Sequence, residues 1–90
     1  MTVLSAKLTF QLLNIHSIKE KRAVARSLID KTRHKFNVSV AEVDTQDIHQ
    51  TLTIGIAVVS GSFSYAQKTR NNIIAYMDDN TEATLVFSEL

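Results

Sequence analysis

Two stretches of this chain place an apolar residue at every second position: Leu4, Ala6, Leu8, Phe10 and Leu12, and later Leu52, Ile54, Ile56 and Val58. Strand side chains alternate between two faces, so each stretch predicts a β-strand with one buried face. The outward sets are Ser5, Lys7, Thr9 and Gln11 on one strand, and Thr51, Thr53, Gly55 and Ala57 on the other. Something must cover the apolar side, and the covering layer is legible in the segments that follow each strand.

Ser17-Ile18-Lys19-Glu20 reads as a capping box, with the Ser17 hydroxyl accepting from an amide of the first helical turn. From there Ile18, Val24, Ala25, Leu28, Ile29 and Thr32 share one side of a helix running to about Lys35, with Asn37 as a left-handed stop. Ser64-Tyr65-Ala66-Gln67 reads as a second capping box. Ala66, Ile73, Ile74 and Met77 then give the second helix its buried stripe, to near Asn80. Val38 and Val40 open a short strand whose phase changes before Val43, which predicts a bulge at Ala41-Glu42. The polar run Asp44–Gln50 fits a hairpin connection, and Thr84–Glu89 closes the chain as a strand carrying Leu85, Val86 and Phe87. The order is β-α-β-β-α-β. It predicts an α+β, ferredoxin-like fold: a four-stranded antiparallel sheet with two helices on one face, a single domain over residues 1–90.

Composition narrows the chemistry more than the fold. With 44% apolar and 21% charged residues, disordered, collagen-like and coiled-coil chains are excluded. There is no Cys, hence no disulfide, zinc–thiolate cluster or cysteine nucleophile. Lys7 interrupts any N-terminal apolar stretch, and no run approaches the roughly 18–20 apolar residues of a membrane span. A cytoplasmic protein that does not enter membranes is the expectation.

Net charge is only +1, yet Lys19, Lys21, Arg22, Arg26, Lys31, Arg33 and Lys35 supply seven of the ten Lys and Arg residues within the first helix. At 100° per residue, Lys19, Arg22, Arg26 and Arg33 fall in one stripe beside the apolar face. Lys31, Arg33 and Lys35 suit a helix C-terminus, where the macrodipole favours cations. Lys19, Lys21 and Arg22 crowd the first turn, where it disfavours them by a few tenths of a kcal/mol each. The candidate anion- or nucleic-acid-binding set is therefore Lys19, Lys21, Arg22, Arg26 and Arg33, with His16 at the helix entrance. Contacts of this kind hold a phosphate backbone rather than read bases. A solvated face that keeps the protein soluble is the plainer alternative.

Other chemistry is weakly signalled. Glu42, Asp44, Asp47 and His49 cluster near the second connection but match no metal-ligand spacing. No nucleophile elbow marks a Ser–His–Asp set, and Gly55 and Gly61 alone make no phosphate-cradling loop. A non-catalytic protein without metal or cofactor is expected. The outward sheet face lacks the aromatics on which RNA-recognition sheets stack bases. Its small uncharged residues suit contact with a second copy, so a homodimeric structural or regulatory module is the alternative function.

The segments His16-Ser17-Ile18-Lys19-Glu20-Lys21-Arg22 and Lys35-Phe36-Asn37-Val38-Ser39-Val40-Ala41-Glu42-Val43-Asp44 are specific enough to compare with known families. Together with Gln46-Asp47 and Ile54-Gly55-Ile56-Ala57-Val58-Val59-Ser60, they resemble the YlxP-like family of small bacterial proteins of unknown function. The resemblance implies a ferredoxin-like fold and brings no catalytic residue or cofactor. The family's gene neighbourhoods imply an RNA or ribosome partner by association. Ile18 stands where Leu is commoner in that family.

Overall fold

A computed structural model describes residues 1–90. The elements are β1 (Thr2–Gln11), α1 (Ile18–Lys35), β2 (Ser39–Glu42), β3 (Thr51–Ser60), α2 (Phe63–Asp79) and β4 (Thr84–Glu89). They form the expected α+β, ferredoxin-like arrangement: one antiparallel sheet of order β2-β3-β1-β4 with both helices on a single face.

The alternation in the sequence sets the register. β1 and β3 pair along their whole length, from Thr2↔Ser60 to Gln11↔Thr51. That pairing puts Ala6, Leu8, Phe10, Leu52, Ile54, Ile56 and Val58 under the helices, all nearly inaccessible to water. A one-residue slip would turn every one of them to the other face, so burial fixes the register. The helices contribute Ala25 and Leu28 from α1, and Ala66, Ile73 and Met77 from α2, to the same core.

Local details depart from the sequence expectation at four places. The second helix is capped by Ser62, whose hydroxyl accepts from the Tyr65 amide at 3.3 Å; Ser64 lies inside the first turn. Helix α1 ends without a left-handed residue at Asn37. Phe36 turns extended at φ −131°, donates its N–H to the Thr32 carbonyl, and sets its ring edge-on to Tyr76 with centroids 5.5 Å apart. An aromatic anchor therefore stops this helix. Asp44, at φ 63°, is the one residue in the left-handed region.

The expected bulge at Ala41-Glu42 is absent, since β2 pairs with β3 in even register from Ser39↔Ala57 to Glu42↔Ile54. Val43 keeps that alternation and points to the outer face, over Gly55, where a Cβ on the glycine would lie 3.5 Å from its methyl group. What looks like a phase change in sequence is an apolar residue on the outer side. The bulge sits instead in β4. Thr9 pairs with Phe87 and Phe10 with Leu85, so Val86 is the extra residue.

The fourth departure concerns the outer sheet face. Thr53 is only 3% exposed because the 43–50 connection folds across that end, and Thr45 donates its hydroxyl to that of Thr53 at 2.9 Å. The remainder is a shallow concavity of 760 Å³ whose floor includes Ser5, Ser39, Ala41, Gly55 and Ala57. Lys7 reaches across it to Asp44 at 2.8 Å and lies 4.0 Å from Glu89.

Candidate nucleic-acid interface

Helix α1 begins where Ser17 caps it, its hydroxyl accepting from the Glu20 amide at 3.1 Å. Its buried positions are Lys21, Ala25, Leu28 and Thr32, the i, i+4, i+7, i+11 series of one face. Beside that face run Lys19, Arg22, Arg26 and Arg33, all four residues exposed, as the angular argument predicts. Arg22, Arg26 and Arg33 come together along a 470 Å³ groove between α1 and the edge strand β2, with Ala25 and Ile29 among its lining residues. Lys19 lies on the same stripe but outside the groove.

The groove also holds two carboxylates, Asp30 and Glu42. No acidic group lies within 4 Å of Arg22, Arg26 or Arg33, so none of the three is neutralised by a direct ion pair. Arg33 is anchored at one end, its Nη2 donating to the Val40 carbonyl at 2.9 Å. A guanidinium carries five donors, and the rest of its fork remains available to the groove. β2 has a neighbour on one side only, so this bond also occupies a carbonyl of an unprotected sheet edge.

Lys21 does not belong to this surface. It is 1% exposed, and its ammonium donates to the Thr45 and Ile48 carbonyls and lies 3.1 Å from Glu42 Oε2. Two carbonyls accept from it and the Glu42 carboxylate supplies its counter-charge, so this buried ammonium is not presented to an external phosphate. The physical reason is its spacing. Lys21 is four residues before Ala25, which places it under the helix, where a charge persists only with such partners. The same contact explains a cation in the first turn against the dipole, and it ties the 44–50 connection to α1.

The acidic cluster around the connection does not converge. Glu42 turns toward α1 and Lys21, whereas Asp44 turns to the outer face and Lys7, and no set of three His, Asp or Glu side chains is grouped for a metal. Hydrogen bonding to Asp44, with the added field of Asp44 and Glu89, raises the Lys7 pKa above its ordinary value. No helix is long and apolar enough to cross a membrane. Lys35 lies off the stripe, its ammonium 5.9 Å from the Tyr76 ring centroid.

Comparison with known proteins places these features in a family. Residues 3–89 match the family described as "Protein of unknown function (DUF503)". The chain is also similar to "Uncharacterized protein YlxP" of Bacillus subtilis (strain 168), with 39% identity over 66 residues, covering 73% of this chain and 72% of that protein.

Proposed function

The chain belongs to the DUF503 family, and we propose that it is a non-catalytic module that binds an RNA phosphate backbone, on the ribosome or free, through the basic groove of α1. The observation that carries this reading is the convergence of Arg22, Arg26 and Arg33 on one groove with no acidic partner within 4 Å. Arginine forks fit phosphate oxygens in pairs, and Lys19 extends the same line of charge. Such contacts release counterions, so binding is salt-sensitive and tolerant of sequence.

The test is a salt titration of binding to ribosomal RNA fragments, followed by fluorescence anisotropy. Three to four phosphate contacts give a log–log slope of roughly −2 to −4. Charge reversal at Arg22 and Arg26 abolishes binding and leaves the far-ultraviolet dichroism unchanged. Affinity that persists in that variant, or no binding at low salt, would sink the proposal.

A second reading is favoured by the outer sheet face. Val3 and Val59 stand opposite each other there, 55% and 64% exposed, and Phe87 is 58% exposed beside Thr9. A second copy seated on this face would cover them, giving a homodimeric structural or regulatory module. Sedimentation at high micromolar concentration decides it: a monomer there removes the dimer.

A further inference from the structure

Toward the end of α1 a second concavity lies beyond the arginine groove. Its volume is 550 Å³, and Asp30, Lys31, His34, Lys35 and Tyr76 line it. Asp30 also lines the arginine groove, so the two cavities meet at that residue. Lys31, His34 and Lys35 are exposed, and no acidic group lies within 4 Å of any of them. Lys31 and Lys35 outnumber the single carboxylate of the cavity, Asp30. The helix dipole accounts for cations at this end of α1. It does not account for an aromatic ring among them.

Tyr76 comes from α2 and forms the aromatic wall. Its ring packs at 80° to that of Phe36, which fixes its plane. The Lys35 ammonium stands over the ring at 5.9 Å from the centroid, the outer limit of a cation–π contact. That face of the ring is therefore covered by a flexible, exposed side chain and not by the core. The arginine groove itself has no aromatic lining residue, so it can hold phosphates but cannot stack a base. Cations and an aromatic ring in one adjoining cavity are the two parts of a nucleotide site, one for the phosphate and one for the base.

Resting on the reading of α1 as an RNA surface, we propose that this cavity takes one unpaired nucleotide of the bound strand. Its base stacks on Tyr76 in place of the Lys35 ammonium. The displaced Lys35 joins Lys31 in holding the adjoining phosphate, and the backbone continues past Asp30 to Arg26 and Arg33. A base inside a duplex has no free face, so the ligand class is RNA with at least one unpaired base. Every base has a π-face, so the stack is as tolerant of sequence as the backbone contacts are.

The test titrates the full chain at low salt with two short strands of equal charge: oligoadenylate, and a ribose-phosphate chain of the same length without bases. Oligoadenylate is expected to bind about tenfold tighter, the scale of one stacked base. In proton NMR it is expected to shift the Tyr76 ring resonances upfield. Tyr65, the other tyrosine of the chain, is the internal control and stays in place. Tyr76→Phe keeps the preference for bases and Tyr76→Leu loses it. The comparison of strands on the wild type needs no variant, so it decides the matter even if Tyr76→Leu, without its contact to Phe36, fails to fold. No binding of either strand overturns the RNA reading and this proposal together. Equal, salt-sensitive affinity for both strands leaves the RNA reading in place and overturns this proposal alone. So does a preference for bases that survives in folded Tyr76→Leu, or ring shifts confined to Tyr65. Adenosine monophosphate binding as tightly as the strand describes a free-nucleotide pocket and overturns it as well.

Discussion

The Lys21 ammonium lies 3.1 Å from Glu42 Oε2 while also bonding the carbonyls of Thr45 and Ile48, so one side chain joins the start of α1, the end of β2 and the connection beyond it. Lys21→Met leaves two carbonyls without their donor and a largely buried carboxylate without its counter-charge. The expected loss is ~3 kcal/mol, the scale of breaking a buried pair from one side. Urea unfolding measures it. In a double-mutant cycle with Glu42→Gln, the two losses are expected to sum to more than the double variant's loss. Additive losses would show that the pair does not interact.

The Lys7–Asp44 bridge predicts an alkaline effect. The folded pKa of Lys7 is raised, chiefly by its hydrogen bond to Asp44 and then by the fields of Asp44 and Glu89. A raised pKa stabilises the fold fully below the unfolded value, near 10.5, and that contribution is lost as pH rises through the folded value. The stability difference between wild type and Lys7→Met is therefore flat at neutral pH and shrinks above about pH 10.5. Because the pair is exposed, added salt is expected to shrink it too.

Helix capping separates two serines that lie two positions apart, Ser62 and Ser64. Ser62→Ala removes the acceptor of the Tyr65 amide and is expected to cost ~1 kcal/mol. Ser64→Ala, inside the first turn, is expected to change stability by less than ~0.5 kcal/mol. Thermal unfolding of the two variants distinguishes the cap from its neighbour, and equal effects would remove the assignment.

Gly55 invites a gain. Its φ is not positive, and an added Cβ meets the Val43 methyl groups at 3.5 and 3.7 Å, ordinary contact distances. Gly55→Ala is expected to stabilise by ~0.5 kcal/mol through reduced freedom of the unfolded chain. A lower melting temperature would mean that Val43 cannot accommodate the methyl group.

The fold was legible because its two long strands alternate without a break from Leu4 to Leu12 and from Leu52 to Val58, and because Ser17 and Glu20 mark a helix start. The exposed stripe of Lys19, Arg22, Arg26 and Arg33 followed from helical geometry alone. Lys21 was misplaced because residue type outweighed position: its spacing to Ala25, Leu28 and Thr32 marks a buried site. Arg70 carries the same mark relative to Ala66, Ile73 and Met77. Nothing local in the sequence shows that Val43 packs outward on Gly55, or that Thr45 reaches Thr53. Both depend on how the 43–50 connection folds back, and only tertiary contacts determine that.

The strand order β2-β3-β1-β4 interleaves the two halves of the chain. A cut in the exposed stretch around Gln46–His49 would release one fragment with β1 and β2 and another with β3 and β4. In neither fragment are the two strands neighbours in the sheet, so neither retains a single ladder of backbone bonds. Each fragment alone is expected to be unfolded, and the two mixed together are expected to rebuild the sheet in a second-order reaction. The chain is thus a pair of complementing pieces, joined through the connection that Lys21 holds to α1.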